Sequence, residues 1–194
     1  MAGMAVSPLA SYSTEWNDAK YTECNTAVNA SYINSEEKEV IYILNLIRSN
    51  PKLFANTVLK KYPAVSGKDQ LVNDTYYYGS LMEALRTMKP LGILYPDNDC
   101  YTSAECHATT SGKSGYIGHE RKSKDCKTKK HYYGECCDYG NSDALDIVLS
   151  LLIDKGVPSL GHRTICFGAA YTKIGVSIKP HSRYGTNTVL DFYY

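Results

Sequence analysis

The sequence contains no apolar run close to the roughly 20 residues that span a lipid bilayer, and no excess of charge of either sign. Lysine and arginine number 21 against 20 aspartate and glutamate residues, which leaves a net charge of +1. This balance excludes a chain-wide nucleic-acid binder, because such a protein carries a clear basic excess. The 43% content of hydrophobic residues excludes a disordered chain, and 194 residues suffice for one domain with a sizeable core.

Several spacings that mark common sites are also missing. No two cysteines form a Cys-x-x-Cys pair, which excludes the usual zinc-finger and thioredoxin-like spacings. There is no Gly-x-Ser-x-Gly motif, and no cysteine is tied to a histidine and a third orienting group, so nothing indicates nucleophilic catalysis. Residues 1–6 have neither the basic start nor the apolar stretch of a signal peptide.

Cysteine, by contrast, is abundant. The seven cysteines are Cys24, Cys100, Cys106, Cys126, Cys136, Cys137 and Cys166. A secreted domain would pair six of them and leave one over, whereas a cytosolic domain would keep all seven reduced. The many tyrosine, asparagine, serine and threonine residues favour secretion, so we expect a protein of the extracellular or periplasmic space whose signal peptide has been replaced. Adjacent Cys136 and Cys137 would point to opposite faces of a strand and should have different partners.

The periodicity of the chain predicts a polar arm followed by one domain. Residues 1–33 are polar and aperiodic, and residues 34–194 carry regular signals without a repeat or a dividing linker. Asn34 and Glu37 form a capping-box pattern before an apolar stripe of helical spacing. Further helices follow, then an alternating, half-buried strand is predicted around Ile174 and a last strand over residues 189–193. Helices first, then strands around one long helix, predict an α+β layered domain with an antiparallel sheet.

A basic segment interrupts this pattern at residues 113–130. Its seven lysine and arginine residues lie among glycine and serine with little apolar content, which predicts a long exposed loop. Such a charge run is usually a solvated face, and contact with an anion or an acidic surface is the alternative. The loop precedes Glu135 in the sequence, and we also expect that it gates any cleft that Glu135 lines.

Three short groups contain the residue types of a chemical site. They are His107 with His119, the pair Gly134-Glu135, and the triplet Gly161-His162-Arg163. Imidazoles and carboxylates that meet can ligate a metal or transfer protons near neutral pH. Each group alone is a weak signal, since a single histidine in an apolar stripe is most often a packed core residue.

Taken together, the order and spacing of these groups resemble the SCP-like proteins of the CAP superfamily, which includes cysteine-rich secretory proteins, venom allergens and plant pathogenesis-related proteins. The run 37–51 resembles their first helix, and the helix that ends in Cys106-His107 resembles the segment with their first cleft histidine. Gly134-Glu135 is similar to their Gly-Glu-Asn motif, although Cys136 replaces the asparagine. The Gly-His-Arg triplet at His162 is similar to the bacterial variant, and the resemblance extends over residues 34–194.

The resemblance implies a three-layer α-β-α sandwich with a small central antiparallel sheet and a cleft of two histidines and two acids. By position, the cleft histidines are His107 and His162, and the first acid is Glu135. No glutamate lies between residues 142 and 162, so Asp154 is the nearest substitute for the second acid, with Asp146 as the alternative. His119 resembles an extra histidine of bacterial members and is expected to be structural.

The function implied is a secreted module that binds a small apolar ligand, a glycan or an extracellular protein in this cleft, without catalysis. The alternative is a hydrolase or peptidase in which His107 and His162 hold a divalent metal such as zinc and Glu135 orients its water. A structural adhesion domain with a vestigial cleft is a third hypothesis. The resemblance also implies oxidised cysteines, with three disulfides and one spare thiol.

Overall fold

The computed structural model describes residues 6–194, and these residues form an α+β fold. Helices precede most of the strands, as the sequence predicts. The α-helices are α1 Ser35–Ser49, α2 Pro51–Phe54, α3 Lys60–Ser66, α4 Ser80–Thr87, α5 Asn98–Ser114, α6 Lys124–Thr128, α7 Ala144–Ile153 and α8 Gly161–Cys166. The strands are β1 Tyr95–Pro96, β2 Gly134–Tyr139, β3 Lys173–His181 and β4 Gly185–Tyr193. Widened π-helical turns at Ala55–Leu59 and Thr75–Gly79 lead into α3 and α4.

Helix α1 begins with the capping box that the sequence predicts. The Asn34 side chain accepts from the Glu37 backbone N–H at 2.9 Å, and the Glu37 carboxylate accepts from the Asn34 N–H at 3.0 Å. The other Glu37 oxygen accepts from the Ile178 N–H of β3 at 2.8 Å. One buried glutamate therefore starts the first helix and also fastens it to the sheet.

The four strands form one sheet in the order β1-β3-β4-β2. The pairs β3–β4 and β2–β4 are antiparallel, and only the two-residue β1 runs parallel to its neighbour β3. In the β2–β4 ladder Glu135 lies opposite Asp191, and Cys137 lies opposite Val189. This register places two acidic residues side by side in the middle of the sheet.

Helices cover both faces of this sheet. Cys136 and Leu190 belong to the main core, to which α1 and α7 contribute, whereas Cys137 and Val189 pack on the other face against Ala104 and Ala108 of α5. The layers are therefore helix, sheet and helix. The prediction that Cys136 and Cys137 face opposite sides of a strand is confirmed.

The polar N-terminal segment supplies large side chains to the main core. Leu9, Trp16, Tyr21 and Cys24 are buried there, and the Trp16 indole donates to the Thr57 hydroxyl at 3.1 Å. Residues 6–33 thus lie against the helical layer through their few apolar side chains. The proposed boundary between arm and domain at residue 34 stays a prediction.

The expected set of three disulfides is wrong for this structure. All seven cysteines lie in the described part of the chain, where Cys106 and Cys126 form one disulfide and the other five thiols are free and buried. Cys136 and Cys166 come closest, with sulfurs 4.0 Å apart. Buried thiols pack as small hydrophobic groups, so this core accommodates them without cross-links.

We expect five reactive thiols after complete unfolding without a reductant, because only one pair is bonded. Far fewer should react in the native state, since all five are buried. Thiol labelling followed by mass spectrometry gives both counts. A single thiol in the unfolded chain would restore the three-disulfide hypothesis.

Helix α5 contacts the sheet directly at Gly175 of β3. A Cβ atom at this position would overlap the backbone of Cys100 and Tyr101 in α5. Glycine is therefore required here by the close approach of two backbones, and its conformational freedom plays no part. The contact fixes the distance between α5 and the sheet, and with it the space available to side chains between them.

The Gly175→Ala substitution should lower the free energy of unfolding by about 1–3 kcal/mol or more, the range for overpacking a protein core. The added Cβ would meet backbone atoms of Cys100 and Tyr101, which cannot rotate away as a side chain can. The matched control is Gly92→Ala, where an added Cβ meets nothing within 4 Å. Urea unfolding followed by the fluorescence of buried Trp16 measures both free energies of unfolding. Equal stability of the two variants would contradict the close packing of α5.

Candidate functional site

The basic segment is more ordered than the sequence predicts. Helix α5 ends at Ser114 with Gly115 as its C-cap, and the Cys106–Cys126 disulfide fastens the short α6 to α5. All six lysines of the segment are exposed, in keeping with a solvated face, but Arg121 is only 4% exposed. The expectation of an entirely exposed loop is therefore wrong at Arg121, because two buried acids attract its guanidinium group.

Arg121 lies under α5 and joins the two acidic residues of the sheet. Its guanidinium group forms an ion pair with Glu135, and another with Asp191 at 3.1 Å. It also donates to the Ser103 hydroxyl of α5 at 3.3 Å and to the His119 backbone carbonyl at 3.3 Å. A planar guanidinium fork can serve several acceptors at once, which a lysine ammonium cannot do in the same geometry.

Burial and the shared guanidinium drive the pKa values of the two acids apart. Burial alone would raise the pKa of Glu135, but the hydrogen bond with His119 and the charge of Arg121 outweigh it and lower that pKa below its ordinary value. Burial, and then the neighbouring Glu135 charge, raise the pKa of Asp191 well above its ordinary value. The two shifts have opposite directions, so Asp191 keeps its proton to a higher pH than Glu135 does.

The Arg121→Gln substitution should cost about 3–5 kcal/mol, the range found when one partner of a buried ion pair is removed. Lys127→Gln is the control, because Lys127 lies in the same segment but is exposed. Arg121→Lys should recover part of the loss, since it restores the charge without the fork. Urea unfolding of the three variants checks this, and equal stability of Arg121→Gln and Lys127→Gln would contradict it.

His119 occupies the solvent-facing side of Glu135. Its Nδ1 lies 2.8 Å from Glu135 Oε1, its side chain is 54% exposed, and its ring centre is 6.3 Å from that of His162. The sequence predicts a structural role for His119. The structure places it beside both the buried Glu135 and His162.

His162 is oriented by Asp154. Asp154 ends α7 in the left-handed conformation (φ 58°), where its carboxylate accepts from the His162 backbone N–H at 3.0 Å and pairs with His162 Nδ1 at 2.7 Å. Proton donation from Nδ1 leaves the Nε2 lone pair available to a ligand. Asp154, the expected substitute for the second acid, thus lies beside His162 as a positioning residue, whereas Asp146 pairs with Tyr62 and Lys68.

Arg163 fixes the relation between α7 and α8. Its buried guanidinium group donates to the carbonyls of Leu152 and Ile153 at the end of α7, and to the Tyr77 carbonyl before α4. These bonds satisfy backbone acceptors at the end of a helix. The Gly-His-Arg triplet therefore presents His162 and anchors the helix that carries it.

His107 lies deeper, between α5 and the sheet. It is 1% exposed, and its Nε2 lies 2.8 Å from the Gly118 carbonyl oxygen, so that nitrogen must be the donor. Burial, and then the charge of Arg121, lower the pKa of His107, so the ring is neutral. One of its nitrogens, a Glu135 oxygen and the Cys137 sulfur lie within 4.8 Å of one another.

The structure gives His107 and His162, the two expected cleft histidines, different neighbours, and their sharing of one metal stays a prediction. Within residues 6–194, no group of three neighbouring ligand atoms includes both of these histidines. His107 neighbours Glu135, whereas His162 faces His119. The ring centres of His119 and His162 are 6.3 Å apart. Because zinc binds imidazole nitrogen at about 2.0–2.1 Å, these two rings could hold one zinc ion between them. An ion held there would act as a Lewis acid.

A cavity of about 360 Å³ opens beside His162. We call it the His162 cavity. Its walls combine polar side chains with an apolar floor, and its lining includes Tyr62, Asp138, Asn141, Ser150, Leu151 and His162. The volume falls at the small end of the range of about 300–1,000 Å³ for small-molecule sites.

Sequence reasoning missed three of these residues: Arg121, Asp191 and Cys137. Asp191 carried a usable signal, because a lone carboxylate in the apolar run 189–192 is almost always paired when buried. Arg121 was distinguishable only as the one arginine among lysines. Nothing local marked Cys137, whose neighbours come from α5 and from the basic segment.

Fold and site together define a layered α+β domain with a cleft of histidine and carboxylate side chains. The model of the CAP family, the cysteine-rich secretory protein family, matches residues 80–193, and the chain belongs to this family. The match includes every site residue from His107 to Asp191. No curated protein and no solved structure matches the chain. Among the helices described, none combines the length and apolarity needed to cross a membrane.

Proposed function

We propose that this CAP domain is a secreted, non-enzymatic binding module that takes a small polyhydroxyl ligand of the glycan type in the His162 cavity. The observation that carries the proposal is the commitment of Glu135. One of its oxygens pairs with His119 and the other with Arg121, and Glu135 is not among the residues that line the His162 cavity. A carboxylate neutralised in this way is a poor base for water, and the His162 cavity, which Glu135 does not line, offers space for a ligand.

The histidine contacts also disfavour a nucleophilic mechanism. Cys137 Sγ lies 3.7 Å from His119 Nδ1, which is the same nitrogen that pairs with Glu135. A catalytic triad needs the nucleophile and the orienting acid on opposite ring nitrogens. Burial also raises the pKa of the Cys137 thiol well above its ordinary value, whereas a nucleophilic cysteine needs a lowered pKa.

The lining of the His162 cavity favours a glycan over a purely apolar ligand or a protein surface. The Asn141 amide donates to both oxygens of Asp138, at 3.0 Å each, and Lys155, Ser150 and Tyr62 supply further polar groups. Ligand hydroxyls can pair with such groups, whereas an apolar ligand would bury them without partners. A volume near 360 Å³ is too small for a folded partner.

Secretion is supported by the family and by the disulfide. The Cys106–Cys126 bond requires an oxidising compartment, such as the extracellular space or the periplasm. The five free thiols are compatible with that compartment because all of them are buried. A module exported in this form meets cell-surface and free glycans.

Neutral mono- and disaccharides should shift amide NMR signals around the His162 cavity. Ser150→Tyr should weaken this binding at least about tenfold, because the new ring fills part of the cavity. A tenfold loss of affinity corresponds to about 1.4 kcal/mol of binding free energy. Ser142→Tyr is the control, since Ser142 is exposed and lies outside the cavity lining. Shifts induced by short-chain fatty acids alone would overturn the ligand class, and no shifts with either panel would overturn the cavity as a binding site.

The hydrolase alternative has its own test. The extent of peptide cleavage in a peptide-library assay should be the same for the wild-type protein and the Glu135→Gln variant. This should hold with added zinc and with added chelator. Cleavage that needs both Glu135 and a chelatable metal would contradict the non-enzymatic proposal.

A further inference from the structure

The charged side chains that line the His162 cavity do not balance. Besides His162, the lining contains three aspartates and two lysines: Asp138, Asp146, Asp154, Lys68 and Lys155. With a neutral histidine, a ligand in this cavity therefore meets an excess of one negative charge. The ion pairs around the cavity assign this excess to a single residue.

Two of the three aspartates already have basic partners. Asp146 Oδ1 lies 3.2 Å from Lys68 Nζ. Asp154 Oδ1 lies 2.7 Å from His162 Nδ1, the contact that orients the imidazole. These two carboxylates are thus committed to contacts within the protein.

The third aspartate, Asp138, has no such partner. The remaining lysine of the lining, Lys155, lies 3.4 Å from Asp74 instead. Within residues 6–194 Asp138 forms no ion pair, and each of its oxygens accepts from the Asn141 amide at 3.0 Å. An ionised carboxylate offers about four acceptor positions, so these two contacts leave it able to accept further donors.

Asp138 is also buried, since only 4% of the residue is exposed. Burial raises the pKa of its carboxyl group, against the opposing effects of Ser150, Asn141 and the charge of His162. A buried carboxylate without a cation is costly, and a strongly influenced acid in a cleft is a candidate for ligand binding. The compensating charge would then come from the ligand.

We propose that the His162 cavity takes an amino sugar whose ammonium group pairs with Asp138. This inference rests on the proposed function, a small ligand of the glycan type, and adds the chemical group that the cavity selects. A protonated amine supplies both the cation that the lining lacks and N–H donors for the free acceptor positions of the carboxylate. The ligand hydroxyls then face the neutral polar groups of Asn141, Ser150 and Tyr62.

The same contact would discriminate among sugars of similar shape. Glucose has a hydroxyl group where glucosamine has its amine, and N-acetylglucosamine has an uncharged amide there. Both leave the buried carboxylate of Asp138 without a cation, and hydrogen bonds between two charged groups are the stronger ones. Selection therefore depends on the charge of one substituent.

The test is a set of NMR titrations of the full chain with glucosamine, glucose and N-acetylglucosamine, at a pH at which the amine is protonated. Shifts of amide signals around the His162 cavity give each affinity. We expect glucosamine to bind at least about tenfold more tightly than the two neutral sugars, as a charged hydrogen bond allows. Added salt should weaken the binding of glucosamine and leave that of glucose unchanged.

The Asp138→Asn variant should lower the affinity for glucosamine to that for glucose, because asparagine keeps the shape of the side chain without its charge. Asp99→Asn is the matched control, since Asp99 is exposed and lies outside the cavity lining. This control should keep the preference for glucosamine. The comparison of the three sugars on wild-type protein decides the proposal even if Asp138→Asn fails to fold.

The outcomes separate this inference from the proposed function. Equal affinities for the three sugars would overturn the amino-sugar inference and leave the glycan function standing, whereas no shifts with any of them would overturn both. A preference for glucosamine that persists in Asp138→Asn would overturn the role of Asp138. Ethanolamine that binds as tightly as glucosamine would overturn the sugar as the ligand class.

Discussion

The guanidinium group of Arg121 lies between two buried carboxyl groups on adjacent strands, and the arrangement of the α5 face depends on it. Glu135 and Asp191 are opposite each other in the β2–β4 ladder. Without a cation, two buried carboxylates side by side would each lose their hydration and would repel one another. Arg121 compensates the charge of Glu135, and the raised pKa of Asp191 lets the second carboxyl keep its proton to a higher pH than its neighbour.

The same guanidinium group positions the histidines. It donates to the backbone carbonyl of His119 and pairs with Glu135, which in turn pairs with the His119 side chain. The path of the basic segment is therefore set by contacts inside the domain. The Cys106–Cys126 disulfide fastens the next part of the segment to α5. A stretch that resembles a solvated loop in sequence therefore forms one wall of the site.

His119 lies between two environments with different chemistry. On its inner side are His107, Glu135 and Cys137, buried between α5 and the sheet. On its outer side are His162, held by Asp154, and the His162 cavity. The two environments also meet at Cys137, which belongs to the inner group and lines the His162 cavity.

Local signals predicted much of the fold. The Asn34 capping box, the alternation around Ile174 and the strand pattern of residues 189–193 encode α1, β3 and β4 in short stretches of sequence, and the structure contains all three. The α+β layering followed from the order of these elements, and the family resemblance is confirmed over residues 80–193.

The site was harder to predict, because long-range contacts determine it. Whether His107 or His119 faces the cleft depends on the path of the segment that Arg121 and the disulfide hold, and no local pattern encodes that path. Cysteine pairing likewise depends on which strand face each thiol occupies, so the number of cysteines overestimated the number of disulfides.

The state of the two buried carboxyl groups tests the central claim most directly. Carbon-13 NMR of side-chain carboxyl groups, assigned with Glu135→Gln and Asp191→Asn and followed against pH in metal-free protein, reports each ionisation separately. The account predicts that Glu135 is ionised below the ordinary glutamate pKa of about 4.3 and that Asp191 stays protonated well above the ordinary aspartate value of about 3.9. Two carboxyl groups that both ionise at their ordinary values would contradict it.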